Sequence, residues 1–412
     1  MSTITKDLRE RVNKIIDDQN FVLKERSEVI QGMWIAAVGQ LHHLQLGPGG
    51  TAKSLGVRNL AQHIADARYF EVAVDETSDP AQVLGPPDIR AMTEEGKMRR
   101  VPTGMLPEAH IAFIDEFFNA NGPTLHSMMP PLNERIFHNN GQPSKIPLRV
   151  AFMGTNKLNA DADQAALWDR VHLRYIVGYL KSRDNLADMV SQAIARMATH
   201  GRGVETTVDP IKTKLTIAEL DQAHNEALNL DVPDPVWELF FDMKEQLLQG
   251  EGIEFSDRRV VDGMTAVLAN AWLRGHEEVK TGDLDVLAHM WWTLQDQLPA
   301  ARSVILGATN PGEKAALDLL DELDKFKGEI KAANDSKLDE SRKKRVGIEQ
   351  VKNADKLIRE AQGHLKKAQA SGADTKRLEE TIGKAEAFKV EVGKAVFGLE
   401  ANDMANMTGA SA

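Results

Sequence analysis

The chain has 412 residues, too many for one ordinary core, and 42% are hydrophobic, so two to four globular domains are expected. Its formal net charge of -11 argues against a duplex nucleic-acid partner, whose phosphates demand a basic face. There is no cysteine, which excludes a disulfide scaffold, a thiolate metal site and a cysteine nucleophile.

Residues 1–20 read as a polar lead-in helix without an apolar signal core. No apolar run approaches the ~20 residues needed to span a bilayer, so a soluble, cytoplasmic protein without membrane insertion is expected. From 21 to 183 short apolar runs alternate with helical stretches. Leu41–Leu46, Phe70–Val74, His110–Ile114, Leu148–Met153 and Val171–Val177 read as strands. Strands alternating with helices imply a mostly parallel sheet covered on both faces, an α/β class. From 184 to 305 apolar spacing turns helical. Val236, Leu239, Phe240, Met243 and Leu247 mark one helix entered at Asp234-Pro235, Val260 to Ala271 a second, and Thr281-Gly282-Asp283 opens a third. Residues 306–412 are rich in Lys, Glu, Ala and Asp. Val351, Ala354, Ile358, Ala361, Leu365 and Ala368, then Leu378, Ile382, Ala385, Val392 and Val396, recur at helical spacing, interrupted by Lys389. With a turn at Ala370–Asp374, an antiparallel helical hairpin with a frayed tail after about Asn402 follows.

The segment Gly47-Pro48-Gly49-Gly50-Thr51-Ala52-Lys53-Ser54 sits between a strand and a helix. Glycines let backbone N–H groups converge on phosphate oxygens, Lys53 answers the β/γ charges, and the Ser54 hydroxyl suits Mg²⁺. Ala52 stands where the general pattern has glycine. Ile111–Ile114 ends in Asp115-Glu116, carboxylates at the sheet edge where ligands bind in this class. Asp115 can hold the Mg²⁺ shell and Glu116 can polarise an attacking water; a solvated acidic strand end is the alternative. Asn156, directly after the fourth strand, suits a γ-phosphate or water contact or else a plain turn. Arg170, before the fifth strand, is placed to act on a neighbour's nucleotide. In Ser256-Asp257-Arg258-Arg259 one arginine reaches the phosphates, or both are surface charges at a helix start.

These segments, with Leu84-Gly85-Pro86, Gly104–Ala109 and Leu132-Asn133-Glu134-Arg135, resemble the MoxR branch of the AAA+ ATPases, and within it the RavA group, over roughly residues 20–305. The resemblance implies an AAA+ parallel-sheet P-loop core followed by an all-helical lid. It implies that Gly47 to Leu55 bind the nucleotide, with Lys53 and Ser54 on phosphates and Mg²⁺. It makes Asp115 and Glu116 the Walker B pair, Asn156 sensor 1, Arg170 the arginine finger and Arg258 the sensor 2 arginine. Ala52 matches a habit of this branch, whereas Gly49 replaces its usual proline. The resemblance further implies an Mg²⁺-dependent ATP hydrolase in a hexameric ring, remodelling or activating a protein substrate beside a partner with a von Willebrand factor A domain. A DNA-directed motor and a nucleotide-gated scaffold are the alternatives.

In residues 79–107, Lys97–Gly104 is expected to form a β-hairpin. Lys97, Arg99 and Arg100 then either grip a substrate or lie on a solvated or subunit-contacting hairpin. His42 and His43 fit core or edge roles better than metal ligation, Met128 and Met129 fit helix packing, and Trp291 and Trp292 fit the lid core or its seam.

Overall fold

The five apolar runs become one parallel sheet. In this computed structural model the chain is described over residues 3–156, 168, 170–200, 213–335, 340–371 and 375–397. The strands are β1 (His43–Leu46), β2 (Tyr69–Ala73), β3 (Ile111–Asp115), β4 (Ile136–Asn139), β5 (Gln142–Lys145), β6 (Val150–Thr155) and β7 (Leu173–Ile176). The sheet order is β2-β3-β6-β1-β7, every pair parallel. β6 is buried at every position and β3 at all but its last, because helices cover both faces.

Register fixes the functional edge. Gln45 pairs with Gly154, Leu46 with Thr155, and Ile114 with Met153. The carboxyl ends of β1, β3 and β6 therefore finish side by side, the crevice edge of an open α/β sheet.

Three helices flank β1 along the chain. Helix α1 (Thr3–Val22) buries Leu8, Val12 and Ile15, and its buried Gln19 accepts the Trp34 indole N–H at 2.6 Å. Helix α2 (Ser27–Gly39) is buried from Val29 to Gly39 apart from Gln31. A side chain at Gly32 would meet the Tyr175 ring at 2.2 Å, so glycine is required there. Helix α3 (Lys53–Gln62) follows the phosphate-loop candidate.

The polar hairpin β4–β5 escaped the sequence reading, whereas the hairpin expected at 97–104 is absent. Residues 81–94 form two short helices instead, and only an isolated bridge joins Pro87 to Arg100. Asp88 caps the second helix through the Ala91 N–H and also accepts Arg99 at 2.9 Å; Lys97 binds Glu95 at 2.9 Å, and Arg100 donates to the Gly85 carbonyl at 2.8 Å. These local pairings replace a strand ladder.

His42 and His43 are both fully buried. Arg135, at φ +56, donates to the carbonyls of Leu132, Gln40 and Arg149 and so braces the entry to β1; burial lowers its guanidinium to about 10. Met128 is fully buried, and Met129 packs against the same core.

The helical segment after the sheet contains Ile217–Leu228, Asp234–Glu251 and Asp257–Arg274. Thr216 and Glu219 cap the first helix reciprocally, Pro235 lies in the first turn of the second, and Ser256 caps the third. Thr281–His289 is a 3-10 run rather than the expected α-helix. Trp291 stacks on Phe255 at 5.1 Å and meets Phe240 edge-on at 4.9 Å.

Residues 302–412 form a separate unit. The hairpin helices are Glu340–Ser371 and Lys376–Phe397, and a third helix, Pro311–Asp335, shares their core. Leu319, Leu323 and Phe326 from that third helix meet Ala354, Ile358, Leu378, Ile382 and Val392. Lys389 is explained by its ion pair with Asp355. The turn residues 372–374, the Val396 side chain and the tail lie outside the described residues.

Candidate nucleotide site

The loop after β1 is shaped by what its backbone must do. The Gly47 N–H donates to the Thr155 carbonyl at 2.9 Å, tying the loop to β6, and Val177 N–H donates to Leu46 O at 2.7 Å, tying it to β7. A Cβ at Gly47 would lie 1.9 Å from the Val177 carbonyl oxygen. Gly50 lies at φ +76 and Ala52 at φ +65. The alanine therefore holds a left-handed conformation that glycine adopts without strain, costing about 1 kcal/mol or more.

Lys53 is 7% exposed. Its ammonium donates to the Gly47 carbonyl at 2.7 Å and to the Pro48 carbonyl at 3.2 Å, so it lies folded over the loop. The Thr51 hydroxyl donates to Pro48 O at 2.9 Å. Helix α3 starts at Lys53 with no side-chain cap, leaving its first N–H groups directed at the loop mouth. An ideal Cβ at Gly49 or Gly50 would meet nothing within 4 Å, so the loop is roomy on that side. The uncapped N–H groups, the lysine and the open space fit a polyphosphate.

At the end of β3, Asp115 lies against Gly154 of β6. A Cβ at Gly154 would sit 2.2 Å from Asp115 Oδ1, so that glycine makes room for the carboxylate. Glu116 takes φ +54, a strained conformation for a non-glycine residue, and Asp115 Oδ1 accepts its N–H at 3.1 Å. The Glu116 carboxylate accepts the Asn119 amide at 2.9 Å. Phe117 and Phe118, both buried, anchor the turn between them. Asp115 and the Ser54 hydroxyl are the oxygen ligands this edge offers to a hard cation such as Mg²⁺.

Asn156 is exposed immediately beyond β6. Lys53, Asp115, Glu116 and Asn156 thus share one sheet edge through strand register. Arg170 is half-buried two residues after Trp168 and just before β7, whereas Asp169 lies outside the described residues. Of the arginine pair, Arg259 is 4% exposed and donates to the Thr293 hydroxyl at 2.8 Å, leaving Arg258 as the exposed member in the first helical turn. Among the described residues, neither Arg170 nor Arg258 hydrogen-bonds the loop. Asn119 and the spacing role of Gly154 were not read from the sequence. An asparagine three residues beyond the acidic pair was the available signal for the first.

Comparison with known proteins agrees with this geometry. Residues 7–221 match the model described as the MoxR domain in the MoxR-vWA-beta-propeller ternary systems, and residues 235–305 match the AAA lid domain. The uncharacterised Methanocaldococcus jannaschii proteins MJ0812 and MJ0079 are 31% and 30% identical over 79% and 82% of this chain, and over 83% and 84% of their own lengths. A structural protein, ORF618, of Acidianus two-tailed virus is 23% identical over 64% of this chain and 46% of its own. A crystal structure of a candidate ATPase from Cytophaga hutchinsonii shares the fold at TM-score 0.57 and 14% identity, covering 74% of this chain and 96% of that one. Among the described residues no helix is long and apolar enough to cross a membrane. The chain belongs to the MoxR family of AAA+ ATPases and is an ATP-hydrolysing enzyme with an α/β core and a helical lid.

Proposed function

We propose that the chain assembles into a ring of identical subunits, hexameric by family likeness, and uses ATP hydrolysis in the cytoplasm to remodel or activate a protein partner. The observation that carries this reading is the convergence of the Lys53 loop, the Asp115-Glu116 strand end and Asn156 on one sheet edge. Backbone N–H groups of Gly50 to Leu55 and the Lys53 ammonium hold the phosphates. Ser54 and Asp115 hold Mg²⁺, which when bound neutralises charge on the β- and γ-phosphates. Glu116 orients and polarises the attacking water, and Asn156 fixes the γ-phosphate or that water. Arg258 reaches the phosphates from the lid, and Arg170 completes the site of the adjoining subunit. The matched family model, named for ternary systems with vWA and beta-propeller components, supports a partner carrying a von Willebrand factor A domain.

The test is affinity capture with Glu116→Gln in the presence of ATP. The variant should hold nucleotide without turnover and retain a protein partner that wild type releases. Recovery of the chain alone would count against remodelling and favour a scaffold that nucleotide merely assembles.

A further inference from the structure

We propose that Arg174 is a positioning residue that ties the lid to the segment presenting Arg170, and so governs hydrolysis in the adjoining subunit. The inference rests on the trans role of Arg170 proposed above.

Arg174 sits in the middle of β7 and is 1% exposed. A charge there is costly unless its donors are satisfied. Its Nη2 donates to the Trp168 carbonyl at 2.7 Å, and its Nη1 donates to the Met290 carbonyl at 3.2 Å. The guanidinium also lies over two indoles, 5.3 Å from the Trp168 ring centre and 5.7 Å from that of Trp292. One planar fork therefore binds residue 168, two positions before Arg170, and residues 290 and 292 of the lid.

Two further contacts make this a junction. The Trp168 carbonyl also accepts the Val171 N–H at 3.4 Å, so the residues flanking Arg170 are held to each other through an atom that Arg174 fixes. The Trp168 ring stacks on Phe118 at 4.6 Å, with planes 22° apart, and Phe118 follows Glu116 by two positions. The Arg170 segment is thus packed on the turn of its own Glu116 on one side and linked to its own lid on the other. Lid displacement that pulls the Met290 carbonyl from Arg174 frees Trp168, and with it the placement of Arg170 against the next subunit. Lysine lacks the planar fork that reaches two carbonyls while lying against two rings.

The experiment is a subunit-mixing assay of ATP turnover using the full chain. Arg174→Gln alone should lose on the order of a hundredfold in kcat with KM for ATP nearly unchanged, the scale of an Å-sized misplacement of a catalytic group. Mixed one to one with Glu116→Gln, which carries an intact Arg170, it should recover about a quarter of wild-type turnover, the share of randomly formed interfaces pairing an intact catalytic half with an intact arginine donor. Arg170→Ala in the same mixture is the control. Recovery by both mixtures supports the inference. Recovery with Arg170→Ala but not with an ATP-binding Arg174→Gln overturns it and leaves the trans reading intact. Recovery by neither overturns the trans reading and the inference together. Where the glutamine variant fails to fold, Arg174→Lys carries the same comparison.

Discussion

The side-chain amide of Asn119 donates to the Glu116 carboxylate at 2.9 Å, while the Asn119 N–H donates to the Glu116 carbonyl at 2.7 Å. A single residue thus grips both the backbone and the side chain of the proposed water-polarising group. Asn119→Ala removes the side-chain half of this grip. Steady-state kinetics should show kcat lowered roughly tenfold with KM held, the worth of one hydrogen bond to a charged group. Asn119→Asp sets a like charge beside Glu116 and should cost more. Unchanged kcat in both variants would remove Asn119 from the site.

Gly154 is the second neighbour that the acidic pair depends on. A methyl at Gly154→Ala would fall 2.2 Å from Asp115 Oδ1, so the carboxylate must move. Turnover should drop by about two orders of magnitude, since small displacements of positioned groups carry penalties of that size. Raising Mg²⁺ should restore part of the loss, because Asp115 is a proposed ligand. A variant with wild-type turnover at limiting Mg²⁺ would show that Asp115 does not hold the ion.

The strained alanine of the loop gives a third test. Ala52→Gly relaxes φ +65 and should keep KM for ATP within a few-fold without loss of stability, the conformational relief roughly offsetting the added chain entropy. Ala52→Val places a β-branched residue at that angle and should destroy nucleotide binding. Equal affinity in the valine variant would mean the loop does not keep this conformation with nucleotide.

Burial of His43 sets an acid limit on stability. Desolvation, with the nearby His289 imidazole as the second cause, lowers its pKa from 6.5 to about 3. The folded ring stays neutral where the unfolded one is protonated, so stability is full above about pH 6.5 and falls as pH drops towards 3. Between pH 7 and pH 5 this ring accounts for about 2 kcal/mol of lost stability. Its ring stacks on Tyr175 at 4.8 Å and lies tilted against Phe152 at 5.6 Å. His43→Phe should therefore keep the packing and shrink the pH 7 to pH 5 difference in denaturant-derived stability by that amount.

The separate C-terminal unit gives a prediction free of nucleotide chemistry. Asp355→Ala removes the carboxylate that pairs with the half-sheltered Lys389 ammonium, and should cost about 1–3 kcal/mol in that unit. All six tryptophans lie before residue 302. Denaturation followed by far-UV circular dichroism should then gain an earlier phase, while tryptophan fluorescence keeps its wild-type midpoint. A single shifted transition in both signals would contradict independent behaviour of the two units.

The sheet was legible because its strands are short apolar runs, and β1 and β3 break into glycine and acid where register brings their ends together. The loop, Asp115, Glu116 and Asn156 could be placed for the same reason. β4–β5 was not legible: Gln142-Pro143-Ser144-Lys145 is exposed throughout, so no alternation betrays it. The expected hairpin at 97–104 misled because its basic residues find acids and carbonyls within the insertion, at Asp88, Glu95 and Gly85. Asn119 and Arg174 act through contacts that sequence spacing does not encode. Only the oddity of a charge inside an apolar strand hinted at Arg174. The third C-terminal helix was hidden because a charged amphipathic stretch reveals an apolar face but not the faces it meets.

The most direct measurement of the central claim is ATP binding and phosphate release by wild type and Glu116→Gln, each with and without Mg²⁺. Wild type should release phosphate only with Mg²⁺, and Glu116→Gln should bind ATP with near-wild-type affinity while losing about a thousandfold or more in turnover. Glu116→Gln with undiminished phosphate release would contradict the site described above.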